Sequence, residues 1–259
     1  MSYPIVIFLG ILQGITEFFP ISSSGHLLLA ENFLSLPVAD LQAFDVVLHG
    51  GTLAALLILF WREWLGILKF DKAGRNFFLQ LVVATIPAAL AGVLLGDWME
   101  SATRGENRLW IVGGFFLCVA VLFFCAEKFS KQNSEKIGWK QIILMGVFQA
   151  IALLPGVSRS GSTIAAGMFT GLKREAAARF SFLMLVPVTF GAVVLIAKEF
   201  HDGKVTLPAT GFVIAGFFSA AIVSYIAAAA LLRFMKKHSL NVFGIYLIIA
   251  AGVLFYLAS

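Results

Sequence analysis

The sequence predicts an all-α polytopic membrane protein with six transmembrane helices and two re-entrant helical hairpins in an inverted-topology repeat. Of its 259 residues, 60% are hydrophobic and only 13% are charged, and the mean hydropathy is +0.94. A soluble domain carries more charge than this. Six apolar runs are each long enough to cross a bilayer core, which takes about 20 helical residues. Two further apolar segments are interrupted by Pro, Ser and Gly and are similar to each other.

The predicted elements alternate between hairpins and crossings along the chain. Each interrupted segment leaves two apolar halves too short to span, so we interpret it as a helix–turn–helix that enters and leaves on one side. Such non-helical backbone persists at depth only where protein or trapped water satisfies its polar groups. In chain order the elements are a hairpin at about 4–35, crossings near 44–62, 79–97 and 109–127, a second hairpin at about 140–172, and crossings near 180–198, 209–232 and 240–258.

An internal repeat relates the two halves, about 4–130 and 140–259, of what we take to be one integral-membrane domain, 1–259. An offset of 136 residues pairs Gln13 with Gln149, Ser22 with Ser158, Ser24 with Ser160, Gly25 with Gly161, Phe44 with Phe180 and Glu63 with Glu199. Because each half contains one hairpin and three crossings, the second half inserts upside down relative to the first. The two hairpin tips are therefore expected to meet near the midplane.

The basic residues predict the orientation of this topology. Fourteen lie on one side, against Arg104, Arg108, Lys198 and Lys204 on the other, so the first side is predicted to be cytoplasmic and both termini face outward. The net charge of +5 is thereby explained by loop asymmetry rather than by nucleic-acid binding. The fourteen are Arg62, Lys69, Lys72, Arg75, Lys128, Lys131, Lys136, Lys140, Lys173, Arg174, Arg179, Arg233, Lys236 and Lys237.

Gln13 and Glu17 in the first hairpin are four residues apart and share a helix face. A carboxylate at membrane depth is costly, so it either serves a function or pairs with a cation such as Arg159. Carboxylate and amide oxygens are ligands suited to Mg²⁺ or Ca²⁺. We therefore predict a weak divalent-metal site at Gln13 and Glu17, completed by substrate phosphates and waters.

The hairpin tips carry hydroxyl-rich and glycine-containing turns. Such turns, leading into helix N-termini, bind anions, although a serine turn taken alone is more often a helix cap. Arg159 is the sole arginine inside an apolar segment, and its planar fork matches two phosphate oxygens; its alternative role is a counter-ion for Glu17. The predicted phosphate ligands are Ser22, Ser23, Ser24 and Gly25 in the first tip and Ser158, Ser160, Gly161, Ser162 and Thr163 in the second.

His26 is the only histidine at a hairpin tip, and it follows the first serine cluster. A serine with a histidine in reach is an arrangement used for covalent or base-assisted attack. Asp45 and His49 are also four residues apart and could orient His26 or the metal, or simply stabilise their helix.

At these residues the chain resembles the bacitracin-resistance family of undecaprenyl-diphosphate phosphatases. Residues 13–17 are similar to the family's (E/Q)xxxE motif and lead into PISSSGH at 20–26, while 155–163 resembles its PGxSRSGxT motif and 44–55 is also similar. The resemblance implies removal of the terminal phosphate from a C55 lipid diphosphate, dependent on a divalent metal, at a site open to the periplasm. It also implies that the essential residues are Glu17, Ser23, His26 and Arg159.

The predicted reaction is metal-assisted phosphoryl transfer to water, and the resemblance implies that this reaction recycles a lipid carrier for cell-wall synthesis and gives bacitracin resistance. Either Ser23 attacks with His26 as base, or His26 or Glu17 activates a water. The expected partners are the prenyl diphosphate, membrane lipids of the bacterial inner membrane and a second copy of the chain in a homodimer, with no nucleic acid. The alternative function is a transporter or flippase of a lipid phosphate, since broken helices in inverted repeats are typical of transporters.

Overall fold

The protein is all-α in the part of the chain that this computed structural model describes, which is residues 1–34, 36, 38–105 and 107–259, without the side chains of residues 38–40, 42 and 97–104. In that part, eleven helices follow one another without a β-strand. They are α1 (Tyr3–Phe18), α2 (Ser23–Phe33), α3 (Val38–Leu59), α4 (Trp61–Leu68), α5 (Lys72–Arg104), α6 (Arg108–Phe129), α7 (Trp139–Ile151), α8 (Arg159–Phe169), α9 (Arg174–His201), α10 (Thr210–Met235) and α11 (Asn241–Ala258).

Two pairs of short helices form the predicted hairpins. Helices α1 and α2 have 16 and 11 residues, and α7 and α8 have 13 and 11. At about 1.5 Å per residue none reaches the roughly 30 Å of a bilayer core. The turns contain Pro20 and Pro155, and they use left-handed backbone at Ser22 (φ 73°) and Gly156 (φ 89°). The last residue predicted for the first hairpin, Ser35, lies outside the described residues.

The six predicted crossings correspond to five long helices and one bent pair among the described residues. Helices α5, α6, α9, α10 and α11 are each long and apolar enough to span, and α3 together with α4 makes the sixth. The chain bends by 76° between Leu59 and Trp61, so the predicted crossing 44–62 ends three residues early. Helix α4 buries none of its side chains and carries Trp61, Arg62, Glu63 and Trp64, a composition suited to the membrane interface.

Helix α5 begins seven residues before the predicted crossing 79–97. Asp71 caps it by accepting a hydrogen bond from the Gly74 N–H at 2.7 Å. The N-terminal cap, rather than the apolar pattern, fixes this start, because the first turns contain Lys72 and Arg75 and stand outside the apolar run.

The two hairpins enter from opposite faces. At the open end of the first, Arg108 at the start of α6 donates a hydrogen bond to the Asn32 side chain at 2.6 Å. At the open end of the second, Ser134, just beyond the other end of α6, donates its backbone N–H to the Gly171 carbonyl at 3.0 Å. Because α6 is a spanning helix, the open ends lie on opposite sides and the topology is inverted.

The halves interlock through equivalent contacts. Helix α1 packs against α10, and its counterpart α7 packs against α5, while α3 contacts α9 and α6 contacts α11 across the pseudo-two-fold. The equivalent residues Phe44 and Phe180 are both fully buried, as are Gln13 and Gln149. These contacts between the two halves bring the hairpin tips together. The repeat limits 4–130 and 140–259 stay a prediction.

Candidate active site

A cavity of about 280 Å³ lies where the two hairpin tips meet. Both hairpins contribute to its wall, through the end of α1, the residues that follow α7 and the two serine turns, and the remaining wall comes from α3 and the middle of α9. Its polar lining is Thr16, Glu17, Ser22, Ser23, Ser24, His49, Ser158, Arg159, Ser160 and Thr189, and its apolar lining is Val46, Ala152, Leu153, Val157, Leu185, Val188 and Ala192.

The two tips present equivalent helix N-termini to this cavity. Ser22 caps α2 by accepting a hydrogen bond from the Gly25 N–H at 3.4 Å, and Ser158 caps α8 through the Gly161 N–H at 3.1 Å. In each tip the hydroxyl of the serine two residues further on lies 3.4 Å from the capping hydroxyl. Ser22 and Ser158 are therefore helix caps, as the alternative from the sequence had it. The positive ends of both helices still favour an anion between them.

The glycines at positions 25 and 161 let both tips approach α6. A Cβ on Gly25 would lie 2.7 Å from the Phe116 ring, and one on Gly161 would lie 2.4 Å from the Phe123 ring. Both distances are shorter than a van der Waals contact. The predicted phosphate ligands Gly25 and Gly161 therefore also set how closely the tips pack.

Glu17 is the centre of the polar network in the cavity. Its Oε1 accepts a hydrogen bond from the Arg159 guanidinium at 2.7 Å, and its Oε2 accepts one from the Ser23 hydroxyl at 2.7 Å and one from the Gln13 amide at 3.1 Å. The His49 Nε2 lies 3.4 Å from the same Oε2. The side chain is only 5% exposed, so these donors compensate the loss of hydration that burial imposes on the carboxylate.

Arg159 both pairs with Glu17 and lines the cavity. Its Nη1 also donates to the Ser181 carbonyl at 3.0 Å, whereas its buried Nε has no acceptor among the described residues. The ion pair considered from the sequence as a structural alternative is present. Thr163 is fully buried behind the arginine, where its hydroxyl donates to the Arg159 carbonyl at 2.8 Å and lies 2.6 Å from the Ser181 hydroxyl. Thr163 thus supports Arg159 instead of lining the cavity.

His26 lies on the side of α2 that faces α11. Its Nδ1 is 2.8 Å from the Ser22 carbonyl and its Nε2 is 2.7 Å from the Tyr246 hydroxyl, and the ring stacks on Phe116. Both ring nitrogens therefore have partners, and the described contacts include no hydrogen bond between His26 and Ser23. The group that contacts the Ser23 hydroxyl is Glu17.

Three residues of this network were not identified as site residues from the sequence. Tyr246 is a tyrosine in an apolar helix, 220 residues from His26, and has no sequence signal. Ser181 could have been found, because the offset of 136 residues pairs it with Asp45. His49 was considered only as a support for His26 or the metal, and the structure places it beside Glu17.

The two residues predicted to bind a metal differ in their access to the cavity. Glu17 lines it, but Gln13 is fully buried, does not line it and turns its amide N–H towards Glu17. The described residues contain no group of three or more His, Cys, Asp or Glu side chains arranged to hold a metal. The chemistry of the cavity wall thus fits a cation held by Glu17 with few other protein ligands.

The fold and the cavity define a polytopic membrane protein whose two broken-helix hairpins enclose a site for an anion beside a carboxylate and a serine. Residues 6–253 match the family described as Bacitracin resistance protein BacA, and the chain belongs to this family. Among its relatives is the undecaprenyl-diphosphatase of Thermodesulfovibrio yellowstonii, 42% identical over 97% of this chain and 95% of that protein. Two proteins of the same name are also similar. The one from Elusimicrobium minutum is 37% identical over 96% of this chain and 95% of that protein. The one from Halothermothrix orenii is 38% identical over 96% of this chain and 98% of that protein.

Proposed function

We propose that this protein hydrolyses undecaprenyl diphosphate to undecaprenyl phosphate and inorganic phosphate. The observation that carries the proposal is the convergence of two helix N-termini and Arg159 on a cavity that also holds a hydrogen-bonded Ser23–Glu17 pair. The first three recognise a phosphate, and the pair supplies a hydroxyl with a proton acceptor. Membership of the family and relatives named undecaprenyl-diphosphatase support this substrate.

The terminal phosphate is proposed to lie between the two serine turns. Ser22 and Ser24 face it from one side and Ser158 and Ser160 from the other, all in the cavity wall. Arg159 supplies charge-assisted hydrogen bonds to its oxygens. The prenyl tail leaves the cavity along apolar side chains such as Leu185 and Val188 towards the lipid.

Two routes for the chemistry use the same residues. In one, Ser23 Oγ attacks the terminal phosphorus, its proton passes to Glu17, and the bond to the bridging oxygen breaks, so that undecaprenyl phosphate leaves. Water then attacks the phosphoserine, and phosphate leaves as the Ser23 hydroxyl is restored. In the other, Glu17 takes the proton of a water that attacks directly. In both, Glu17 rather than His26 is proposed as the proton acceptor, because Glu17 touches Ser23.

A divalent cation, Mg²⁺ or Ca²⁺, is part of this proposal. Glu17 would hold it, and it would neutralise charge on the phosphate oxygens. The chain's own contribution is to position the substrate: the serine turns and Arg159 fix the phosphate, and Gln13 fixes the Glu17 carboxylate by donating its amide N–H.

The cellular setting follows from the same proposal. The protein is proposed to lie in the bacterial inner membrane with its basic side in the cytoplasm and its active site open to the periplasm. There it would return the lipid carrier to cell-wall synthesis and confer bacitracin resistance. A homodimer, also proposed, is tested by light scattering of the detergent-purified protein.

The test is phosphate release from undecaprenyl diphosphate by the purified chain, with and without a chelator. We expect release that stops with chelator and resumes when Mg²⁺ or Ca²⁺ is added back. Glu17→Gln, which keeps the volume but removes the charge, should nearly abolish release. A flippase of a lipid phosphate would move the lipid without releasing phosphate, and that result would overturn the proposal.

A further inference from the structure

Among the described residues, the ionisable side chains that line the cavity are Glu17, Arg159 and His49, and the reaction described above gives no role to His49. It belongs to α3, its side chain is 30% exposed on the cavity side, and its Nε2 lies 3.4 Å from Glu17 Oε2. Its other nitrogen, Nδ1, lies 2.8 Å from the Asp45 backbone carbonyl. The ring is therefore held in one orientation, with Nε2 directed at Glu17.

The hydrogen bond to Asp45 determines which nitrogen of a neutral His49 carries the proton. A carbonyl oxygen only accepts, so Nδ1 is the donor and Nε2 presents its lone pair to the cavity. Two lone pairs facing each other at 3.4 Å, on Nε2 and on a carboxylate oxygen, repel unless a proton on Nε2 or a metal cation lies between them; the proton would make His49 an ion-pair partner of Glu17, and the metal would make it a ligand. Histidines that ligate metals are held in this way, by a hydrogen bond from the second ring nitrogen to a carbonyl or carboxylate.

The distance between the two atoms also suits one shared cation. With metal–nitrogen and metal–oxygen bonds of about 2.1 Å, neighbouring ligands of one ion lie roughly 3.0–3.4 Å apart. Gln13 lies outside the cavity wall: its side chain is fully buried, its amide N–H donates to Glu17, and its amide oxygen is buried without a partner among the described residues.

We propose that His49 Nε2, with a Glu17 carboxylate oxygen, forms the protein part of the divalent-metal site, and that Gln13 supports Glu17 without touching the metal. This inference rests on the proposed function for the presence of a metal, and it changes the ligand set predicted from the sequence. Substrate phosphate oxygens and waters complete the coordination. Mn²⁺, which shares the carboxylate and water ligands of Mg²⁺ and Ca²⁺, is the probe ion for this site.

The test uses Mn²⁺ alone, added to the full-length protein in detergent, so that binding is measured without substrate or turnover. Electron spin-echo spectroscopy of bound Mn²⁺ should show coupling to a directly bound nitrogen, and labelling with ¹⁵N-histidine should alter that coupling. His49→Gln should remove the coupling and weaken Mn²⁺ binding by roughly tenfold or more. His238→Gln, at an exposed position, and Gln13→Ala should both keep the coupling.

The outcomes separate this inference from the proposed function. Nitrogen coupling that persists in His49→Gln, or bound Mn²⁺ without nitrogen coupling in the unaltered protein, would overturn His49 as a ligand even if phosphate release is normal. Loss of Mn²⁺ binding in Gln13→Ala, with unchanged binding in His49→Gln, would return the ligand role to Gln13 and would also overturn His49. Should His49→Gln not fold, the double variant His201→Gln/His238→Gln and the single variant His26→Gln replace it, and the proposal requires both to retain histidine coupling.

Discussion

At the scale of single residues, Glu17 organises the candidate site. One buried carboxylate accepts hydrogen bonds from Arg159, Ser23 and Gln13, which come from both hairpins. Removing a partner of a buried charge generally costs more than the pair contributes, because the remaining charge stays desolvated. Substitutions around Glu17 are therefore expected to affect both folding and activity, and each needs a control that separates the two.

Arg159→Lys tests whether the planar fork is required. Lysine keeps the charge but cannot bond Glu17, Ser181 and a phosphate oxygen in fixed directions. The value of kcat/KM should therefore fall by a factor that corresponds to roughly 2 kcal/mol or more of lost transition-state stabilisation. The measurement is the rate of phosphate release at saturating metal. Arg179→Lys is the matched control, because Arg179 pairs with Glu63 outside the cavity and should retain activity. Near-normal turnover in Arg159→Lys would mean that a point charge suffices.

Ser23→Ala distinguishes the two chemical routes. If Ser23 is the nucleophile, its removal should lower the rate by roughly a thousandfold or more, whereas loss of a hydrogen-bond donor costs about 1–3 kcal/mol. Ser24→Ala is the matched control, because Ser24 is exposed to the same cavity and its hydroxyl contacts only Ser22 among the described residues. We expect the larger loss at Ser23. Similar small losses in both variants would identify the turn as a phosphate cradle and favour direct attack by water.

His26 and Tyr246 are predicted to act together as positioning residues. The Tyr246 hydroxyl holds His26, which in turn holds the Ser22 carbonyl at a left-handed backbone position. Tyr246→Phe should therefore lower kcat, and the losses in Tyr246→Phe and His26→Asn should be strongly non-additive in the double variant. The pH profile of kcat should keep its shape in Tyr246→Phe. Additive losses would contradict the joint positioning role. If the limb of the pH profile of kcat that reports a general base disappears in His26→Asn but not in Tyr246→Phe, His26 would be the general base.

At the scale of helices, local signals explain what the sequence could predict. Interruptions by Pro20 and Pro155 predicted both hairpins, and apolar runs predicted the spanning helices to within a few residues at most ends. The bend before Trp61 was missed because hydropathy continues through it, and Tyr246, the partner of His26 Nε2, was missed because it belongs to a helix 220 residues away. The reactive residues within one hairpin tip could be predicted from the sequence, whereas contacts between residues of distant helices could be identified only from the structure.

The packing of the two hairpin tips against α6 determines the shape of the cavity. Gly25→Ala and Gly161→Ala each place a methyl group on a phenylalanine ring of α6, and overpacking of this kind typically costs about 1–3 kcal/mol. We expect lower thermal stability in detergent and reduced phosphate release for both. Gly114→Ala, in α6 itself with no atom within 4 Å of the added Cβ, is the matched control and should be neutral or slightly stabilising. Equal stability of all three variants would mean that the tips do not pack as described.

At the scale of the whole molecule, charge and ion pairing agree on which helix ends share a face. Most of the fourteen basic residues counted on one side belong to the ends of α4, α6, α9 and α10, and several are tied together there. Arg174 pairs with Glu127, Lys236 with Glu175 at 3.2 Å and Lys173 with Glu135 at 2.5 Å. These contacts show that the ends lie together, and the excess of positive charge then predicts that this face is cytoplasmic.

Cysteine accessibility tests that orientation. In a protein with Cys118→Ala and Cys125→Ala, Lys131→Cys places an exposed thiol on the basic face, and Lys204→Cys places one on the opposite face. An impermeant thiol reagent added to intact cells should label Lys204→Cys at once and Lys131→Cys only after the membrane is permeabilised. The two variants serve as each other's control, since both remove a lysine from an exposed loop. Labelling of Lys131→Cys from outside would invert the protein and would also move the open end of the first hairpin to the cytoplasm. A periplasmic active site would then require access through the second hairpin, between α7 and α8, because the two hairpins enter from opposite faces.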